Sequence, residues 1–396
     1  MVGMRDVARE AGVSTSTVSL VVNGNGYVSD SMARRVSQAM QQLNYVPNEL
    51  ARNFSRNRTN LVGIIVPTIR HPFFASLAAS LQRALYERQL RTVLCSTADV
   101  DQDVSQYVDM LRRRAMDGII MGAHAVYPAN YWSSIDRPIV AFDRYLGNSI
   151  PSVGSDHSQG GRLAAQLFVQ TGVRHVVEIG GPRTHYQTAA GMQSISLGSV
   201  RIAGQTTFPP IRYHLAFERT LRQAGIPYNY IEIESVARME EFRQAAHKAF
   251  ETYPDLDAIV APDLAAAFCV QEAIGRGRAI PSDLQVIAYD GTYVADLAGI
   301  KLTSVLQNVD AVANALARQM VTEIQGQTSA EPTAEQADKD DQSAEGPQPG
   351  MLPKPTSQAP AQPAAQLEPG VRNELIPMSI KLGESTRWQG RLEDLR

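Results

Sequence analysis

Three short runs of apolar residues at helical spacing occupy the first part of the chain. Between Arg5 and Ala11, Val7, Ala8 and Ala11 share one face, and Val18, Val21 and Val22 recur at i, i+3 and i+4 after Ser14, a good N-cap. The second run leaves Thr15, Ser16, Ser19, Leu20 and Asn23 on its other side. Gly12 lies between the two and can take the positive φ of a tight turn. The pair therefore predicts a helix-turn-helix with a mostly small, hydroxyl-bearing outer face, thin enough to enter a major groove. After the loop Asn23–Val28, Ser29 can cap a third helix through Leu43, with Met32, Val36, Ala39, Met40 and Leu43 as its inner face. Spacing alone also fits any small helical hairpin.

From Leu61 the period changes. Leu61–Val66 is a continuous apolar run of strand length, followed by a helical pattern from about Phe74 to Gln89, a strand at Thr92–Cys95, a helix from about Asp103 to Arg114 and a strand at Gly118–Met121. Further strands are expected at Pro138–Phe142, His175–Ile179, Tyr230–Ile233, Ala258–Ala261 and Leu284–Ala288. Amphipathic helices are expected near 158–170, 213–224, 238–252, 263–275 and 308–325. Such alternation implies parallel sheets covered on both faces. The span is too long for one sheet with these strands, so two doubly wound subdomains facing across a cleft are expected, with ligands beyond the carboxyl ends of the strands. Thr328–Glu368 has no aromatic residue, Ile or Val and reads as a disordered insertion before a last strand near Leu375–Leu382.

Composition narrows the function classes. The 396 residues carry a net charge of −3, but residues 1–58 hold seven Arg against four acidic residues, +3, which leaves −6 on the remainder. A basic head on an acidic body steers DNA to one end. No apolar run reaches membrane-spanning length and no secretory pattern opens the chain, so a cytoplasmic protein without a membrane partner is expected. Cys95 and Cys269 lie far apart in apolar contexts and read as reduced, buried thiols. Asp99, Asp101 and Asp103 begin like a calcium loop, but Val104 and Met110 replace its glycine and closing Glu. Gly24-x-Gly26 follows no strand, the histidines have no metal-ligand spacing and no Gly-x-Ser-x-Gly elbow occurs. No enzyme, cofactor or metal is expected.

Specific motifs go further. Asp6-Val7-Ala8-Arg9-Glu10-Ala11-Gly12-Val13-Ser14, Thr17-Val18-Ser19 and Leu43-Asn44-Tyr45-Val46-Pro47-Asn48 resemble the lac repressor/galactose repressor family of bacterial transcription regulators. The body resembles the same family's effector-binding core, related in fold to periplasmic sugar-binding proteins, at Gly63–Pro67, His71–Phe74, Asp117–Ile120, Phe142–Arg144, Val153–Asp156, Ala261–Asp263 and Ala288–Asp290. The resemblance covers roughly residues 4–326 and the last strand. It implies a small all-α helix-turn-helix head joined by a hinge helix to an α/β body of two doubly wound parallel sheets, the chain crossing between subdomains more than once. The expected division is 1–46 for the helix-turn-helix, 47–60 for the hinge helix and linker, and 61–326 with 369–383 for the effector-binding and dimerisation body. The insertion takes 327–368 and a tail 384–396; without a leucine heptad in that tail, a homodimer is expected.

For DNA, the resemblance assigns base contact to Thr15, Ser16 and Leu20, phosphate contact to Ser19, Asn23 and Ser29, and hinge contact to Asn48, Ala51 and Phe54. Leu20 stands where many relatives have Arg; it cannot donate to guanine but can touch a thymine methyl. Phe54 matches the Leu that wedges between base pairs in the minor groove, and packing on the body is its alternative role. For the cleft, Phe73 and Phe74 are candidates to stack on a sugar, against a role in the core. Asp143 and Arg144 end one strand, Asp290 ends another and Asp263 begins the helix after a third, where they can bind hydroxyls or serve as helix caps and structural ion pairs. Pro262 replaces a common Asn. The family's cleft arginine has two candidates, Arg201 by local motif and Arg212 by register from Ala224-Gly225, which lands within one residue of it. The resemblance thus implies a dimeric repressor on a pseudo-palindromic duplex, controlled by a small polar effector, a carbohydrate. The alternative is a solute-binding protein of the periplasmic type with no regulatory role.

Overall fold

The computed structural model describes residues 2–23, 26–46, 58–99, 103–123, 125, 127, 131–147, 149–182, 211–330 and 373–390. They fall into two compact units, Met1–Asn60 and Leu61–Arg396. Asn48, Ala51, Phe54 and Arg201, the 184–210 stretch and most of the expected insertion lie outside the described residues.

In the first unit, α1 (Met4–Ala11), α2 (Thr15–Asn23) and α3 (Asp30–Gln42) enclose a core of Val7, Ala8, Ala11, Val18, Val36 and Ala39. Gly12 ends α1 at φ 62°, ψ 40°. Ser14 Oγ accepts from Thr17 N at 3.1 Å and Ser29 Oγ from Met32 N at 3.4 Å, so both expected caps are formed. Three fully buried valines, at roughly 1.5–3 kcal/mol each, are the main apolar gain of this small unit. Met32, expected inward, is 36% exposed. The core starts one turn later at Val36, and Met32 stands on the open first turn of α3.

The second unit holds two six-stranded sheets. The first is built from β1 (Leu61–Val66), β2 (Arg91–Ser96), β3 (Gly118–Met121), β4 (Ile139–Phe142), β5 (Ser152–Ser155) and β11 (Asn373–Ile376), in the order β11-β5-β4-β3-β1-β2 and parallel throughout. The second contains β6 (Val176–Gly180), β7 (Tyr228–Glu232), β8 (Ala258–Pro262), β9 (Gln285–Asp290), β10 (Thr303–Leu306) and β12 (Ser379–Lys381), in the order β12-β10-β9-β8-β6-β7, with only β12 antiparallel. Helices α4 (Pro72–Tyr86) and α10 (Val309–Ala330) cover one face of the first sheet, and α5 (Val104–Arg112) with Trp132 the other. The second sheet is covered by α8 (Met239–Thr252) and α9 (Asp263–Gly275) on one face and by α6 (His157–Gln170) and α7 (Ile211–Gln223) on the other. The chain crosses between the layers after β5, after β10 and between β11 and β12.

Three expectations change. The single last strand is two, in different sheets, divided at Pro377-Met378 because proline has no N–H to donate to a ladder. The helix expected to stop near 325 runs to Ala330, past Gly326, which a helix interior tolerates at a cost of about 1 kcal/mol. The tail expected from 384 is in part body: Ser385 is fully buried, accepting from Thr303 N at 2.8 Å and donating to Val286 O, and Arg387 N donates to Gln285 Oε1 at 2.8 Å. Gly383 permits this, since a Cβ there would lie 2.3 Å from Lys301 O.

Candidate functional site

In the first unit, α2 presents Thr15, Ser16 and Leu20 to solvent, with Leu20 38% exposed. Ser19 and Asn23 are half-buried, and Asn23 Nδ2 donates to Ser19 Oγ at 3.1 Å. Val18, fully buried on the opposite side, fixes this orientation. Two hydroxyl residues and one aliphatic tip are what the helix offers outward. Ser29 is half-buried and already engaged as the cap of α3.

In the second unit, a cavity of about 140 Å³ opens at the carboxyl ends of both sheets. The first subdomain contributes His71, Phe73 and Phe74 after β1, and Phe142, Asp143 and Arg144 at the end of β4. The second contributes Glu178–Gly181 from β6, Tyr213 and His214 from the start of α7, Ala261 and Pro262 from β8, and Tyr289 and Asp290 from β9. His157 and Gln307 line it from two of the three crossovers, after β5 and after β10. Phe73 is buried and stacks on Phe142 at 6.0 Å and 26°, so it serves the core and the wall together. Phe74 is half-buried, edge-on to Phe73 at 5.4 Å.

A hydrogen-bonded chain joins the two subdomains beneath this cavity. Asp143 Oδ1 accepts from Ser155 N at 3.1 Å, and its Oδ2 lies 3.0 Å from His157 Nε2. His157 Nδ1 meets the hydroxyl of Tyr289. Ser155 Oγ donates to Gln307 Oε1 at 2.7 Å, and Gln307 Nε2 donates to Asp290 Oδ1 at 2.7 Å. Asp143 (φ 45°) and Asp290 (φ 99°) both adopt the left-handed region, a cost of about 1–3 kcal/mol each that tends to collect at functional sites. Gly154 lets Asp143 reach its partners, because a Cβ there would sit 2.1 Å from Asp143 Oδ1.

Burial governs the charges. It pushes the Asp290 carboxyl well above the usual range, with Asp263 adding to the effect, and it lowers the Arg144 guanidinium to about 10 against the opposing pull of Asp143. Burial alone lowers His71 to about 4, so its imidazole is neutral at pH 7. Arg144 Nη1 donates to Asp143 O at 2.6 Å. Glu178 is buried at the end of its strand; it accepts from Tyr228 Oη at 2.6 Å and pairs with His214 Nδ1.

Of the expected cleft residues, Phe73, Phe74, Asp143, Arg144 and Asp290 come together on the walls. Asp263 does not. Its carboxylate turns to the loop after β9 and accepts from Gly291 N at 3.2 Å and from Thr292 N, a structural role that wins because two backbone donors lie within reach of the first residue of α9. Arg212 opens α7 half-buried, its guanidinium lowered by burial and held up by Asp143 and Asp156. The wall positions next to it belong to Tyr213 and His214, one and two residues further on. Sequence reasoning missed Glu178, Tyr213, His214, Tyr289 and Gln307. Glu178 carried a signal, a carboxylate inside the apolar run Val176–Ile179.

The chain matches three family models: bacterial regulatory proteins of the lacI family over residues 3–48, the periplasmic binding proteins and sugar-binding domain of the LacI family over 59–206, and the periplasmic binding protein-like domain over 165–338. It is 32% identical over 305 residues to the sucrose operon repressor of Pediococcus pentosaceus, covering 77% of this chain and 86% of that protein. It is 32% identical over 292 residues to the ribose operon repressor of Bacillus subtilis (strain 168), covering 73% and 82%. Among solved structures, the lac repressor dimer bound to operator and the anti-inducer ONPF matches with a TM-score of 0.69 at 18% identity, over 97% of this chain and 99% of that one. The transcriptional regulator CelR–cellobiose complex matches at 0.58 and 23% identity, over 97% and 100%. Both structural likenesses concern the fold.

Proposed function

The chain belongs to the lacI family of bacterial regulatory proteins, and on that premise we propose that it is a cytoplasmic DNA-binding repressor, without enzymatic turnover, whose cleft takes a carbohydrate effector. Its working form is a homodimer on a pseudo-palindromic operator. Thr15, Ser16 and Leu20 read base edges, while Ser19, Asn23 and Ser29 hold phosphates. Asn48, Ala51 and Phe54 enter the minor groove, Phe54 as the wedge. In the cleft, Phe74 stacks on the ligand, and Asp143, Arg144 and Asp290 face its hydroxyls, with Arg212 beside them and Arg201 on the rim.

One observation carries this reading. The cavity stands on the chain Asp143–Ser155–Gln307–Asp290, which runs through two of the three places where the polypeptide passes between subdomains. A ligand that prefers one setting of the walls changes the angle between subdomains. That change reaches the hinge at 47–60 and alters the fraction of dimers fit to bind DNA. The names of the relatives suggest the first probes: sucrose, D-ribose and cellobiose.

The test selects duplexes from a random pool with the purified full-length protein, then titrates the selected duplex with and without each sugar. An inverted-repeat duplex bound by a dimer, with affinity altered by one sugar that is recovered intact, is expected. A monomer at working concentration, or no preference over random competitor, overturns the proposal.

A further inference from the structure

Among the side chains that line the cavity, Tyr213 and His71 each carry a polar atom with no partner among the described residues. Tyr213 is 2% exposed, and its Oη makes no hydrogen bond among the described residues. His71 is 6% exposed, and its Nδ1 is likewise unpartnered. Such atoms are rare in folded proteins and call for an explanation at each occurrence. Here they belong to opposite walls of one cavity, Tyr213 at the start of α7 in the second subdomain and His71 before α4 in the first.

Their surroundings supply neither atom with a partner in the observed geometry. Tyr213 stacks on Phe217 at 5.9 Å and 10° and touches the ring of Tyr289 at 4.0 Å, which fixes its ring in place. The carboxylates that face its hydroxyl are Glu178 and Asp290. Glu178 accepts from Tyr228 and pairs with His214, Asp290 Oδ1 accepts from Gln307, and neither carboxylate bonds the Tyr213 hydroxyl. His71 occupies the N-cap position of α4 without forming the side-chain cap. Its ring lies between Phe74 of its own subdomain, at 5.6 Å, and Phe242 of α8 in the other, at 6.0 Å. The imidazole therefore stands where the two walls meet, among rings that offer it no acceptor.

We propose that Tyr213 and His71 are the specificity-determining pair of the cleft: an uncharged, hydroxyl-bearing ligand bridges Tyr213 Oη and His71 Nδ1 and thereby ties one subdomain to the other. The proposal rests on the cleft being the effector site. Both groups are neutral at pH 7, so they match hydroxyl or ring oxygens and give no counter-charge to a phosphate or carboxylate. Around them Phe74, Phe142, Val236 and Pro262 close on the body of the ligand, while Asp143, Arg144 and Asp290 face its other hydroxyls. Bridging gives a ligand a reason to prefer one setting of the walls, the one in which both orphan atoms reach it at once.

The experiment compares full-length wild type with Tyr213→Phe, His71→Phe and the double variant, by thermal unfolding without ligand and by calorimetric titration with sucrose, D-ribose and cellobiose. Removing an orphan hydroxyl removes no bond, so ligand-free Tyr213→Phe is expected to melt at or above the wild-type temperature. Each single change is expected to weaken the sugar that wild type binds about tenfold, and the double change to weaken it further. A lower ligand-free melting temperature for Tyr213→Phe means that the hydroxyl has a partner inside the protein, and overturns the proposal. Undiminished sugar affinity in Tyr213→Phe overturns it while leaving the cleft as the effector site. If wild type binds none of the sugars, the carbohydrate reading itself fails, and the ligand-free melting comparison still decides whether the hydroxyl is orphaned. Should His71→Phe fail to fold, the tyrosine variant alone decides.

Discussion

Asp263 and Asp290 show how one residue type at neighbouring strand ends takes two roles. Asp290 faces the cavity with one oxygen on Gln307, whereas Asp263 is spent on the backbone of Gly291 and Thr292. Burial raises Asp263 from 3.8 to about 6 despite those bonds. A folded-state pKa above the unfolded value means that its contribution to stability is complete below about pH 4 and is lost as pH rises through about 6. Asp263→Asn is therefore expected to flatten the fall in the urea midpoint between pH 4 and pH 7; an unchanged slope would assign that fall to other groups. His71 has the opposite sign: lowered to about 4, it favours the folded state above pH 6.5 and costs stability as pH drops toward 4. At this scale a polar residue at the end of an apolar run was the legible sign, and it led to the cavity at Asp143 and Asp290 but not at Asp263. It was not legible at Tyr213, because a tyrosine on the inner face of an amphipathic helix looks like core until its unpaired hydroxyl is seen.

Helices and strands with a continuous apolar run were readable, the four-residue β3 and β4 included, and strands with few large apolar side chains were not. The helices of the first unit follow from Ser14, Ser29 and the valine stripes. By contrast β5 and β10 each have four residues with one or two large apolar side chains, too few to show a period, although they are what place Ser155 and Gln307. The last segment misled for another reason: Leu375–Ile380 looks like one strand, but Pro377 ends the first ladder and the chain changes sheet. Beyond it, Ser385 and Thr386 read as solvent-facing tail, yet they replace missing ladder partners of β9 and β10. Ser385→Ala leaves Thr303 N and Val286 O without their side-chain partner in a buried setting, for an expected loss of about 1–3 kcal/mol, read as a lower urea midpoint at unchanged slope. A variant as stable as wild type would return the segment to the tail.

Across the whole molecule, charge and coupling have to be considered together. The first 58 residues carry +3 and the rest −6, so the proposed dimer would present two basic heads to the duplex, with acidic bodies that do not compete for it. What the body can do to the heads depends on how firmly its subdomains are linked, and Ser155 is where that linkage can be tested without altering a cavity wall. Its hydroxyl holds Gln307, which holds Asp290, while its N–H independently holds Asp143. Ser155→Ala cuts the first arm and keeps the second. If the chain of bonds transmits the setting of the walls, the ratio of operator affinities with and without the effective sugar should shrink about fivefold or more, out of a coupling of typically about 1–3 kcal/mol. Reciprocity then requires the ratio of sugar affinities with and without operator to shrink by the same factor. A variant that loses sugar affinity equally in both states, with the ratio intact, would show that Ser155 only shapes the cleft and that the subdomains communicate through the crossovers themselves.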